Sequence, residues 1–214
     1  LETSGHQHSW LADLELLGQK LQADPTAVLA REIALGDVIY QQTLLYIANS
    51  QRIRIYSPDI TERKRAEEQL QLLSTAVEAT VNGVVVTDRQ GQILWVNPAF
   101  TSLTGYSREE ALGQNPRVLK SGQHHKEFYQ ELWGQILRGQ PWSGEIMNRR
   151  KDGTLYCEEM TITPVRDGGD DITHFVAIKE DITARKQAEE SLQRQAALIE
   201  LSPDAIIVRQ LDGI

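Results

Sequence analysis

The chain has 214 residues, 40% of them hydrophobic, and a formal net charge of -8 from 30 acidic and 22 basic residues. That balance argues against a nucleic-acid binder, which needs clustered positive charge, and the short basic runs Arg63-Lys64-Arg65 and Arg149-Arg150-Lys151 read as solvated surface. No apolar run reaches the ~20 residues that span a bilayer, so no membrane contact is expected; a single cysteine excludes an intrachain disulfide framework and fits a reducing cytoplasm.

Residues 1–8 are polar, and His6 and His8 stand two apart, a spacing that does not place both on one helix face. From Trp10 to Leu21 the apolar residues Trp10, Leu11, Leu14, Leu17 and Leu21 recur at helical spacing, and Asp24-Pro25 ends that helix. Thr26 to Leu35 is predicted as a second helix. Val38–Ile47 and Ile53–Tyr56 read as strands across an Asn49-Ser50 turn.

The sequence DITERKRAEEQLQ at Asp59–Gln71 recurs as DITARKQAEESLQ at Asp181–Gln193, an offset of 122 residues with ten of thirteen positions identical. Repeats of domain size mean tandem modules. Each copy follows an apolar strand and opens a helix, with Asp59 or Asp181 expected at the N-cap and Glu62 completing a capping box in the first copy. Ala66, Leu70, Leu73 and Val77 then form a narrow seam, repeated as Ala188, Leu192, Gln195 and Ile199. Such a seam on a charged helix is predicted to pair with a second copy of the chain as a coiled coil.

Between the two linkers lies one complete module. Gly83–Asp88 and Ile93–Val96 are predicted strands; Asn97-Pro98 starts a short helix that Gly105 breaks, and Ser107 caps another with Glu110 at the third position. A longer amphipathic helix covers about 125–138, with Phe128, Leu132, Trp133, Ile136 and Leu137 inward. Trp142–Asn148 and Thr154–Val165 form a long hairpin around Lys151-Asp152-Gly153, and Ile172–Ile178 returns as a third strand after a polar turn. In the second strand Tyr156, Glu158, Met160, Ile162 and Pro164 share the covered face. The expectation is an α+β fold, a five-stranded antiparallel sheet with helices on one face, flanked by coiled-coil linker helices.

The runs VVVTDRQGQILWVNPAFTSLTGYSREEALGQNPRVL, ELWGQILRGQPWSGEIMNRRKDGTLYCEEMTITPV and ITHFVAIKEDITARK resemble a PAS domain, the sensory fold of bacterial signalling proteins. The resemblance implies a PAS domain over 72–183 between linker helices at 59–78 and 184–200. It makes residues 1–58 the end of a preceding PAS-like module and 201–214 the truncated start of a further one. With no initiator Met and an end in mid-pattern, the sequence reads as a segment of a longer polypeptide.

The ligand can be weighed by residue. In light-sensing flavin PAS domains a reactive cysteine follows the Gly-x-Asn motif; here Gly113-Gln114-Asn115 is followed by Pro116. Haem-binding members use a histidine near the long helix, and His124 and His125 at its start are expected to face solvent, which disfavours haem. The run 131–165 is similar to FAD-binding, redox-sensing PAS domains of nitrogen-fixation and methane-oxidation regulators, which implies FAD with Trp133, Asn148 and Asn115 as its contacts. Two positions depart from the nitrogen-fixation pattern: Pro116 replaces a glutamate and Val85 a serine, so that subgroup's proton relay is not carried over. Asp181 and Thr183, with Asp59 and Thr61 in the first copy, are the expected signal-relay residues. Gly168-Gly169-Asp170-Asp171 lacks the rest of a cyclase signature and reads as a loop. The implied function is a non-catalytic sensor, dimeric through its linkers, passing a redox signal to an output domain such as a histidine kinase or diguanylate cyclase. A cofactor-free relay domain and a small-metabolite receptor are the alternatives.

Overall fold

The structure, a computed structural model, describes residues 13–200; His6, His8, Trp10, Leu11 and the segment 201–214 lie outside the described residues. It divides into two compact units between Thr75 and Ala76. Among the described residues no helix is long and apolar enough to cross a membrane.

In the first unit, α1 (Leu14–Ala23) precedes an antiparallel sheet of β1 (Val28–Leu35), β2 (Val38–Ile47) and β3 (Arg52–Tyr56), in the order β1-β2-β3. The expected second helix is thus a strand. Gly36-Asp37 closes a two-residue hairpin, with Gly36 at φ 60° and Leu35 paired to Val38, and exposure alternates along β1. Pairing with β2 along the whole of β1 overrides a run whose apolar residues also fit a helical period. After β3 the chain reaches α2 (Thr61–Glu78) through a defined turn. Asp59 Oδ1 accepts from the Thr61 backbone N–H at 2.8 Å and from its hydroxyl at 2.5 Å. The Ile60 N–H donates to the Ile39 carbonyl, and the Ile39 N–H to Thr61 Oγ1, both at 2.8 Å. Because the helix begins at Thr61, Asp59 stands one residue before the cap and Glu62 is the second helical residue, one position short of a capping box.

The second unit is built from β4 (Gly83–Asp88), β5 (Ile93–Val96), α3 (Pro98–Thr104), α4 (Arg108–Ala111), a 3-10 turn at Pro116–Leu119, α5 (Lys126–Leu137), β6 (Trp142–Arg149), β7 (Leu155–Arg166), β8 (Ile172–Asp181) and α6 (Thr183–Glu200). The five strands form one antiparallel sheet in the order β5-β4-β8-β7-β6. Gly168–Asp171 is the turn between β7 and β8, as its composition suggested. Capping chemistry places the short helices: Ser107 and Glu110 form the reciprocal box at α4, and Gly105 ends α3 at φ 77°.

Two apolar clusters pack on the covered face. One joins Val85, Ile93 and Val96 to Phe100, Ala111 and Leu119; the other joins Leu132 and Ile136 of α5 to Trp142, Ile146, Met160, Ile162, Ile172 and Phe175, and Ala177 touches both. Leu137, expected inward, is 50% exposed: the helix buries Leu132 and Ile136, four residues apart, and turns Leu137 out beside them.

Asn97, 1% exposed, ties the entry of this unit together. Its Oδ1 accepts from Val84 N–H at 2.8 Å and caps α3 through Phe100 N–H at 3.0 Å; its Nδ2 donates toward Thr80 Oγ1 and the Asn82 carbonyl at 3.0 and 2.9 Å. Replacing Asn97 by Ala should lower stability to urea by about 2–4 kcal/mol, because a helix cap and several buried partners are lost together. Asn97→Asp keeps both accepted bonds but sets an acceptor oxygen against the Asn82 and Val77 carbonyls, so it should be destabilising as well.

Candidate functional site

A cavity of about 320 Å³ lies between the two apolar clusters of the second unit, at the small end of the range for small-molecule sites. Val85, Leu132, Ile136, Ile146, Met160, Ile162 and Phe175 make most of its wall, and Trp133 stands edge-on to Phe175 with ring centroids 5.9 Å apart. Trp133, Asn148 and Asn115, singled out by resemblance, all line it. Gly91, in the β4–β5 turn at φ 79°, completes the enclosure: a Cβ there would lie 2.8 Å from Asn115 Nδ2 and 3.0 Å from the Trp133 ring. Arg117 and Lys120 line the cavity while exposed, which puts two cations at its solvent edge.

Asn148 and Lys179 of the wall belong to a buried network that sequence reading missed. Glu158 on β7 is 0% exposed and Lys179 on β8 is 3% exposed. Lys179 Nζ lies 2.5 Å from Glu158 Oε1 and 3.2 Å from Met160 Sδ. Asn148 Nδ2 donates to the same carboxylate oxygen at 2.9 Å, and the Tyr156 hydroxyl donates to Oε2 at 3.0 Å. Burial and then the Glu158 charge push the Tyr156 phenol far up, so it remains a donor. A signal for the network was available: two-residue alternation puts one acid and one base at inward positions of adjacent strands.

Tyr129 of α5 also lines the cavity, with Lys120 Nζ 3.5 Å over its ring. Its hydroxyl is buried and has no hydrogen-bond partner among the described residues. Burial, and then Glu158, raise its pKa as well.

His124 does not face solvent as expected. Its Nε2 accepts from the Met147 backbone N–H at 2.8 Å, and its ring stacks on Phe128 at 4.4 Å. β6 is an edge strand, and an unpaired edge amide takes the nearest acceptor. The nitrogen that a haem iron would need is thereby used, whereas His125 is exposed.

Asp181 and Thr183, the expected relay residues, sit where the sheet runs into α6. Asp181 Oδ1 accepts from Thr183 N–H at 2.9 Å and from its hydroxyl at 2.5 Å. The Ile182 N–H donates to the Cys157 carbonyl at 2.9 Å, and the Cys157 N–H to Thr183 Oγ1 at 3.0 Å. Asp59, Ile60 and Thr61 make the same bonds to Ile39 in the first unit. Here Asp181 also pairs with Arg150 at 2.6 Å, and that guanidinium lies 4.3 Å over the Tyr156 ring and donates to the Leu103 carbonyl. Burial pushes the Asp181 carboxyl up, but the bonds from Thr183 and Arg150 outweigh it and leave the net shift downward. Cys157 supplies backbone rather than thiol chemistry; burial and then Glu145 push its pKa up.

The PAS fold family matches residues 71–182. Over 141 residues the chain is 38% identical to the nitrogen fixation regulatory protein of Klebsiella oxytoca, covering 64% of this chain and 28% of that protein. It is 31% identical over 138 residues to a blue-light photoreceptor of Listeria monocytogenes, covering 63% of this chain and 54% of that one. The aligned stretch is therefore less than two thirds of either relative. Among solved structures, a PAS domain from Colwellia psychrerythraea superposes with a TM-score of 0.50 at 29% identity, covering 54% of this chain and 98% of its own.

Removing one member of the buried pair should cost more than removing both. Glu158→Ala strands an ammonium in the core and should lower urea stability by about 3–5 kcal/mol, and Glu158→Leu combined with Lys179→Met should recover most of that loss. A single variant no worse than the double would show the pair to be solvated.

Proposed function

The chain belongs to the PAS family, and on that premise we propose that residues 72–183 bind FAD and report redox state, through the Asp181-Ile182-Thr183 turn, to an output domain elsewhere in the polypeptide. The observation that carries this reading is the cavity, an apolar slot with the Asn115 and Asn148 amides, the Tyr129 hydroxyl that has no partner among the described residues, and two cations at its lip. These residues suit a flavin. Trp133 and the aliphatic wall would flank the ring, Asn148 would meet its polar edge, and Arg117 and Lys120 would face the phosphates. A cavity of about 320 Å³ would take the ring system, and the nucleotide half would lie outside it. When bound, the flavin supplies a ring whose charge and protonation follow the redox poise of its surroundings.

The chain's own part is to turn a change at the pocket into a change at a helix. Asn148 and Lys179 both bond Glu158. The next residue, Cys157, holds Ile182 and Thr183 by its backbone, so one residue of β7 separates the pocket wall from the start of α6. A shift of β7 against β8 that favours one state of the turn would re-register α6, and only a differential interaction with the two states can bias the output.

The module works as a homodimer. Leu70, Leu73 and Val77 of α2 and Leu192 of α6 are exposed along the expected seam. The first unit, with its three-stranded meander and the same Asp-Ile-Thr turn, is the end of a preceding PAS-like module, so α2 and α6 are successive linkers. Cytoplasmic placement and a histidine kinase or diguanylate cyclase as output fit a redox relay of this kind.

Freshly purified protein should be yellow and fluorescent and should bleach on anaerobic reduction with dithionite, and Trp133→Ala or Asn148→Ala should weaken FAD retention. A colourless protein that rejects added FAD would sink the flavin reading and leave a cofactor-free relay or a receptor for a colourless metabolite. Asp181→Ala should keep the flavin but abolish the reduction-dependent change in amide exchange at residues 183–190 seen in the parent chain. Loss of flavin in that variant would count against a relay role.

A further inference from the structure

Asn148 cannot turn its amide freely. Its Nδ2 lies 2.9 Å from Glu158 Oε1, an oxygen that also receives Lys179 Nζ at 2.5 Å, and a carboxylate held by such donors only accepts. The amide nitrogen is committed to Glu158, and the carbonyl oxygen is the half left for the cavity that Asn148 lines. Reversing the group would set two acceptor oxygens against each other where Glu158 and Asn148 are 0% and 5% exposed, a mismatch that water cannot relieve. On the neighbouring wall Lys179 can only donate; of its three N–H groups, one meets an oxygen of Glu158 and another the weak acceptor of Met160. The wall therefore offers a fixed acceptor with a charged donor beside it.

We infer that Glu158 is a positioning residue that makes this wall selective for an imide edge, a ring N–H set between two carbonyls. The N–H donates to Asn148 Oδ1, and one flanking carbonyl receives from Lys179. The ligand class is a planar heteroaromatic dione with a free ring N–H, and a ring alkylated at that nitrogen is rejected. The inference rests on the flavin reading and deepens it, since the pyrimidine part of a flavin carries such an edge. It assigns the selectivity to a carboxylate that stands behind the amide, not to the amide alone.

The test compares riboflavin with 3-methylriboflavin, which lacks the imide proton, by quenching of flavin fluorescence on titration into the flavin-free chain. The methylated ligand should bind at least about tenfold more weakly, the effect of leaving one buried polar group unpaired. Glu158→Gln keeps an oxygen in the Oε1 position and should preserve that ratio. The paired variant Glu158→Leu/Lys179→Met leaves no uncompensated buried charge and frees the amide to turn, so the two flavins should bind within about twofold of each other. Equal affinity of the parent chain for both ligands overturns the inference and leaves the flavin site standing. A preference that persists in the paired variant is steric and overturns the role of Glu158. Failure of riboflavin to bind at all overturns the flavin reading and the inference with it.

Discussion

A carboxylate and an ammonium buried side by side impose the strictest condition on the second unit. Glu158 and Lys179 are diagonal neighbours on β7 and β8, and neither can be left alone in an apolar setting, so the register of the two strands is tied to the pairing of two charges. A slip of β7 by one residue would send Glu158 to the other face, bring Cys157 and Glu159 inward and leave Lys179 buried without its partner. Hydrophobic residues alone would tolerate near alternatives, because Ile, Val and Met substitute for one another at modest cost. The ion pair supplies the specificity that the apolar wall lacks. It also gathers polar groups at one part of the sheet, since Lys179, Asn148 and Tyr156 all draw on the two oxygens of Glu158.

Much of this architecture could be read from residues because it rests on short-range chemistry. The hairpin around Asp152-Gly153, the Ser107 box, the Gly105 stop and the Asn97 cap each involve groups within a few positions of one another. The repeat was equally plain, since ten identities in thirteen positions need no structure to be seen. The run at 26–35 misled because its apolar residues satisfy both periods and the deciding partner, β2, lies across a hairpin whose Gly36-Asp37 signal was passed over. A strand at that place gives the first unit the same three-stranded meander as the second.

The candidate site was legible in part for a similar reason. Trp133, Asn148 and Asn115 came from resemblance, and the cavity brings all three to one wall system. Glu158 stood in the alternation argument as one more member of the covered face, but its partner is 21 residues away on another strand, a pairing that requires the sheet order. His124 depends on an edge-strand amide whose lack of a strand neighbour is likewise a property of the order β5-β4-β8-β7-β6. Local rules place side chains on faces, and topology decides what they meet there.

The backbone of β7 has the property a relay needs. Alternation along a strand sends Glu158 inward, behind Asn148 and Lys179 of the cavity wall, and turns Cys157 the other way, while the Cys157 amide and carbonyl are both taken by the Asp-Ile-Thr turn. The inward side chain and the gripped peptide are adjacent, so a displacement of one moves the other with no soft dihedral chain between them. The first unit uses the same grip at Ile39, on a strand that buries Gln42 and Leu44. The same sheet-to-helix turn thus occurs in both units, and what distinguishes the second is a buried carboxylate, bonded to two residues of the cavity wall, one residue from it. On the proposed reading, such a joint would pass to the helix what its strand is made to feel, and the pocket would determine what that is.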